Sequence, residues 1–302
     1  MQQIIRTITY SILFCLIIVS CSKKEDISKP TFQNKIITVS NSEENGMHWL
    51  VFNSVDDYIF TINELNKGND SVLSAFENRF SFVSMRAYYS DEERESLGVW
   101  DDILSTVLNP EGKIQINNYI FELDLVKDSV YAYNISNDKL YTFSVDEDVL
   151  DVVFGQNNGF DLVETENELC ASNRNDFYDY KYVFEHPDLF GRELTVKCKM
   201  KYQRAGIYFS LIMSIKRSGV YLFSAPFDIG VRSISGYYVK KGSYTNNWIA
   251  PIERIGGGNH YFYCPVQSVR KLKKFNWNGC FELIDYGSEE QNQYIHVTIH
   301  KG

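Results

Sequence analysis

Apolar residues keep a helical period in the first third of the chain and a strand period in the last. Val55, Tyr58, Ile59, Ile62 and Leu65 recur at three- and four-residue steps and make one stripe, which predicts a helix from Val55 to Lys67. Ser54 suits its N-cap, and Gly68 stops it. A second helix is expected from Ser71 to Arg79, with Val72, Leu73 and Phe76 on one face. Ser90 and Glu93 form a capping-box pattern, opening a helical stretch from Asp91 towards Leu108 with an interruption near Gly98. Strands are expected over 35–39 and 47–52. After the turn Asn109-Pro110-Glu111-Gly112, Lys113–Ile116 and Tyr119–Leu123 read as a hairpin about Asn117-Asn118. Val130–Ile135 and Leu140–Val145 continue the strands.

Beyond residue 190 the period is two. Leu194, Val196, Cys198, Met200 and Tyr202 alternate with Glu193, Thr195, Lys197, Lys199 and Lys201. Ile207, Phe209, Leu211, Met213 and Ile215 repeat the pattern, as do Ile295, Val297 and Ile299. Such alternation buries one face of a sheet and wets the other. The fold class expected is therefore α+β: N-terminal helices with β-hairpins over 36–187, then an antiparallel β-sandwich-like unit over 188–302. The polar stretch 155–180 is the expected linker or long loop, and His186-Pro187 the boundary.

Charge sharpens that division. The 302 residues carry a net charge of −9, with 44% hydrophobic and 23% charged residues. Mean hydropathy is −0.27, which excludes a multi-span membrane protein and a disordered chain. Residues 21–187 hold 13 Lys and Arg against 31 Asp and Glu, a net of −18; residues 188–302 hold 16 against 8, a net of +8. An acidic front and a basic back imply different partners or mutual attraction.

The first residues read as an address. Met1–Arg6 carries one positive charge, and Ile8–Val19 is apolar but too short to span a bilayer. Ile18-Val19-Ser20-Cys21 resembles the lipobox of bacterial lipoproteins. The resemblance implies cleavage between Ser20 and Cys21, a diacylglyceryl group on the Cys21 sulfur, and attachment to a membrane. Ser22-Lys23-Lys24-Glu25-Asp26 resembles the export signal of Bacteroidota surface lipoproteins, which implies the outer leaflet of the outer membrane. Residues 1–20 are thus an expected signal peptide and 21–35 a flexible tether. The segment Leu108–Asp124, with the helices before it, is similar to uncharacterised Bacteroidota lipoproteins over about residues 48–145. That resemblance implies a surface lipoprotein and carries no functional residue across.

Candidate chemistry is sparse. Setting aside Cys15 and Cys21, four cysteines remain: Cys170, Cys198, Cys264 and Cys280. In an exported chain they allow two disulfides in any of three pairings. Cys198, on the inward face of a strand, also reads as a small buried hydrophobe. No cysteine pair is close enough for a CxxC site. His296 and His300 lie four apart on a strand, about 13 Å, too far for one ion, so no metal is expected. HExxH, P-loop and G-x-S-x-G patterns are absent, and no cofactor is expected. Asp56-Asp57, Asp101-Asp102 and Glu289-Glu290 are acid pairs of the kind an acidic chain supplies by composition.

Basic and aromatic residues interleave at two places. Lys240 and Lys241 lie near Tyr244 and Trp248; Lys271, Lys273 and Lys274 lie near Trp277. Rings that stack beside cations that pair suit a glycan, an anionic ligand or headgroup, or an acidic protein. Nucleic acid is chemically suited too, but export argues against it. The plainer alternative is a solvated sheet face with edge-protecting lysines. No catalytic signature appears, so the expected function is a non-enzymatic binding module anchored at the cell surface. A glycan- or peptide-cleaving hydrolase and a structural accessory of a surface assembly are the alternatives.

Overall fold

The computed structural model describes residues 37–40, 47–67, 70–80, 82–155, 177–185, 193–218, 227–251, 255–256, 260–285 and 293–302. The signal peptide, the tether, Cys170 and the Glu289-Glu290 pair lie outside them. So does most of the expected linker. Among the described residues no helix is long and apolar enough to cross a membrane.

Helix α1 runs Val55–Asn66, with Ser54 accepting the amide of Asp57 as its N-cap. Helix α2 is Asp70–Phe80, and a short α3, Met85–Tyr88, follows. The stretch from Asp91 divides into α4, Asp91–Ser96, opened by the full Ser90–Glu93 capping box, and α5, Asp102–Val107. Tyr58, Ile62, Leu65, Leu73 and Phe76 are the buried stripes of α1 and α2, as the spacing predicts.

Around these helices lies sheet I, six strands in chain order: β1 Ile37–Val39, β2 Leu50–Phe52, β3 Lys113–Ile116, β4 Tyr119–Asp124, β5 Ser129–Asn134 and β6 Lys139–Ser144. All neighbours are antiparallel except β2 and β3, which the five helices connect in parallel. The expected hairpin is present, with Asn117 in the left-handed region at φ 53. A sixth helix, α6 at Val149–Phe154, follows. It was not expected, because its run of apolar residues has no readable period.

The rest is two antiparallel sheets. Sheet II has the order β13-β9-β8-β7, built from His260–Ser268, Phe209–Ser218, Glu193–Arg204 and Phe177–Glu185. Sheet III has the order β11-β10-β14-β15, built from Asn247–Trp248, Phe227–Lys240, Leu272–Asp285 and Gln293–Lys301; the short β12, Ile255–Gly256, also pairs with β10. Strand β7 pairs along its whole length with β8, so sheet II takes in residues ahead of His186. The fold is thus mixed α+β, with few helices and mostly antiparallel strands.

The inward faces of sheets II and III share one apolar cluster. Cys198, Met200, Leu211, Met213 and Ile215 from sheet II meet Ile229, Val231, Phe275, Trp277, Phe281 and Ile299 from sheet III. Gly279 marks the closest approach, since a Cβ there would stand 2.9 Å from both Met200 Sδ and Met213 Cε. The turn between β8 and β9 reaches back towards sheet I. Gly206, at φ +69, donates to Val145 O and accepts from Val149 N, and a Cβ there would meet Val130 and Val149 at 2.8 Å. Residues Gln33–Gly302 accordingly form one compact unit.

Candidate ligand-binding face

The outer face of sheet II is not open to solvent. Period two places Lys197, Lys199, Lys201 and Gln203 of β8 outward, yet Lys199 and Gln203 are buried. Helix α4 and the segment after it cover them. Glu92 pairs with Lys197 at 3.2 Å, Glu95 with Lys199, and Asp91 with Lys216 at 2.6 Å. Lys201 stands 3.6 Å from the ring centroid of Trp100, and Gln203 accepts the Trp100 amide and donates to Gly98 O. Burial pushes the Asp91 carboxyl up, but hydrogen bonds from Lys216 and Arg94 outweigh it and hold the group at about 2. Arg94 in turn pairs with Asp102 at 2.8 Å and bonds Ser105. A recess of about 30 Å³ lies among these charges, room for a water or two and not for a sugar ring.

At the centre of this contact is Asp101, fully buried. Its Oδ1 caps α5 by accepting the amides of Ile103 and Leu104. Its Oδ2 accepts from Tyr208 Oη at 3.0 Å and Ser210 Oγ at 2.5 Å. Burial raises its pKa against those hydrogen bonds, with the neighbouring Asp102 raising it further. Carboxylate, serine and tyrosine here form a latch between α5 and sheet II, with no route to a substrate. The pair Asp101-Asp102 therefore caps and pairs, and Asp57 is likewise in the first turn of α1.

The two basic clusters of the sequence come together at one end of sheet III, but their residues separate. Lys241 pairs with the buried Asp148 at 2.9 Å, and Lys271 lies 3.7 Å from Asp146 while its amide donates to Asp148. Arg270 reaches Asp151 at 3.3 Å. These cations are engaged by the segment between β6 and the end of α6, although the Lys241 side chain stays 60% exposed. Trp277 is a correction: it is 0% exposed, packed in the shared core, because β14 turns its side chain inward. Burial, then Arg270, lowers the pKa of Lys240, whose ammonium lies 5.9 Å from the Tyr238 ring. Lys273 and Lys274 are exposed, and Lys274 lies 5.9 Å from the Tyr237 ring. Trp248 is 75% exposed and Tyr244 96%. Trp248 is opposite Tyr237 across the β10–β11 pair, its ring 6.0 Å away and edge-on at 74°.

Beyond Trp248 the outer face of sheet III is polar and open as far as Asn278 of β14, past which Cys280 and Glu282 are buried. Strand β14 turns Lys274, Asn276 and Asn278 outward; β10 adds Tyr237, Ser235 and Ser233; β15 adds His300, Thr298 and His296, in register beside them. Thr298 Oγ1 donates to Asn278 Oδ1 at 2.7 Å. At the far end Arg232 stacks over Tyr294 at 4.5 Å. The alternation over 294–300 already places Tyr294, His296, Thr298 and His300 on the wetted face of a strand, whereas the outward rows of β10 and β14 were missed. The signal that finds the β14 row is the alternation Phe275, Trp277, Gly279, Phe281, Leu283 against Lys274, Asn276, Asn278, Cys280, Glu282.

The disulfide expectation is overturned for the described cysteines. Cys198, Cys264 and Cys280 are buried free thiols. Burial, with Asp179 nearby, pushes Cys198 up to about 12. Burial also raises Cys264, with Asp101 adding to it, and Cys280. Protonated and enclosed, they act as small core side chains. Among the described residues no group of His, Cys, Asp and Glu is placed to hold a metal.

No family model matches the chain, and no curated protein matches it. A similar solved structure is that of a DUF4848 family protein from Bacteroides thetaiotaomicron. It is 14% identical, with a TM-score of 0.21 over 87% of this chain and 100% of that one. A likeness of that size identifies neither fold nor function.

Proposed function

We propose that the chain is a surface lipoprotein that binds a ligand without transforming it, and that the ligand docks on the outer face of sheet III at its Trp248 end. Sheets II and III would then act as a sandwich-like carrier, with one outer face given to internal packing and the other to recognition. The observation that carries the reading is Trp248, exposed at 75% on a two-residue edge strand beside Tyr237 and Lys274. Leaving a large ring in water forgoes the stabilisation its burial would bring, and a ring beside a cation suits stacking and pairing with a ligand. The membrane anchor at Cys21 rests on the lipobox resemblance alone.

Binding should be measured on glycan and surface-protein arrays with the wild type and Trp248→Ala. A ligand whose affinity falls at least about tenfold in the variant, a loss of roughly 1.4 kcal/mol, supports the site. A ligand bound equally by both proteins refutes it. For the anchor, Cys21→Ala should release the protein from membranes; retention contradicts that part.

A further inference from the structure

We infer that the ligand of this face is an uncharged oligosaccharide lying lengthwise along β14, from the Trp248–Tyr237 rings to the Arg232–Tyr294 pair. This rests on the reading of Trp248 above and adds the ligand's class and course. Three observations carry it.

The first is the floor. From Asn276 to Asn278 on β14, and across to Ser235, Thr298 and His300, no outward side chain is a carboxylate, lysine or arginine. Amides and hydroxyls both donate and accept, so the floor matches hydroxyl groups that do the same. A polyanion would meet exposed cations at the two ends, Lys273–Lys274 and Arg232, and none on the floor from Asn276 to Asn278. A protein partner would find none of the apolar centre that fixes such interfaces.

The second is orientation. Thr298 uses its hydroxyl proton on Asn278 Oδ1, which fixes that amide and leaves its nitrogen to donate outward. The side-chain oxygen of Asn276, next along the row, is enclosed, so the outward donor of this row is the Asn278 amide.

The third is length. Asn276 lies opposite Tyr237, and Glu282 opposite Tyr294. Six residues of strand separate those two aromatic stations by about 20 Å. That is the reach of a chain of several rings, stacked at each end and hydrogen-bonded between.

The test is an array of neutral oligosaccharides of increasing length, with heparin and polygalacturonate as charged comparators, probed with the full-length protein in detergent. Positive members are then titrated calorimetrically. A neutral member should bind, with affinity rising with length and insensitive to salt. Asn278→Ala and Thr298→Val should each weaken binding about threefold to tenfold, the worth of a hydrogen bond or two. Tyr294→Ala should weaken long members and spare short ones. Unchanged circular dichroism separates these effects from misfolding. Equal affinity for all lengths, unaltered binding in the Asn278 and Thr298 variants, or preference for a charged chain would each overturn the inference. In those cases continued dependence on Trp248 leaves the docking site standing. Binding to no array member overturns the inference as well, and a protein ligand that depends on Trp248 then keeps the coarser reading.

Discussion

Sheets II and III share one core and differ in what covers their backs. The back of sheet II carries Lys197, Lys199 and Lys216, and α4 lays Glu92, Glu95 and Asp91 upon them. The back of sheet III carries asparagine, serine, threonine and histidine, and much of it stays exposed. The opposed charges of the two halves of the sequence thus do internal work. A basic strand in this chain is evidence of an acidic neighbour from the same chain before it is evidence of a ligand. The same lesson applies at the edge of sheet III, where Asp146, Asp148 and Asp151 take up Lys271, Lys241 and Arg270.

The comparison can be broken most forcefully from inside. Trp277 and Trp248 both belong to sheet III and face opposite ways. Trp277→Ala should destabilise the fold by about 3–5 kcal/mol, as for a large core ring, whereas Trp248→Ala should cost less than about 0.5 kcal/mol. Urea unfolding of the two variants decides it, and similar losses would mean that the inward and outward faces of β10–β14 have been misassigned.

Next in size is the latch on sheet II. Asp101→Ala removes a helix cap worth about 1 kcal/mol and strands two buried hydroxyls, Tyr208 and Ser210, at about 1–3 kcal/mol each. A loss of about 3 kcal/mol or more is expected in the same experiment. A change below about 1 kcal/mol would show that α5 does not lock onto sheet II.

These contacts mark the limit of what the chain declares about itself. The caps at Ser54 and Ser90, the Asn117 turn and the alternation of β8 and β9 are local, and the structure has them where the pattern places them. The covering of Lys199 by Glu95 joins residues 104 apart, and no period records it. Strand β14 alternates cleanly, but Lys271 just before it and Lys273 and Lys274 at its start draw the eye to a charged loop and hide the strand. Strand β10 shifts register at a bulge between Val231 and Ser233, which interrupts its period. For the proposed face, Trp248, Tyr244, Lys273 and Lys274 are legible in the sequence as candidate groups, whereas the burial of Trp277 and the acidic partners of Lys241 and Lys271 show only in the fold.

A smaller effect appears with pH. Asp91 is held at about 2 against an ordinary 3.8. The stability it contributes is therefore full above 3.8 and is lost as pH falls through about 2. The raised carboxyl of Asp101 acts with the opposite sign, since protonation relieves its burial. Asp91→Asn should lower stability at neutral pH and flatten the fall between pH 3.8 and 2, seen in denaturation midpoints across that range. A parallel fall in variant and wild type would remove Asp91 from the interface.

The central claim is that one back is covered and the other open, and lysine acylation rates read it directly. The native protein is treated briefly with an amine-reactive acetylating reagent, and each site is followed by mass spectrometry. Lys199, whose side chain is 10% exposed and paired with Glu95, should react slowest, with Lys197 and Lys216 also protected, while Lys273 and Lys274 react fast. Lys197, Lys199 and Lys216 reacting as fast as Lys273 and Lys274 would contradict the account.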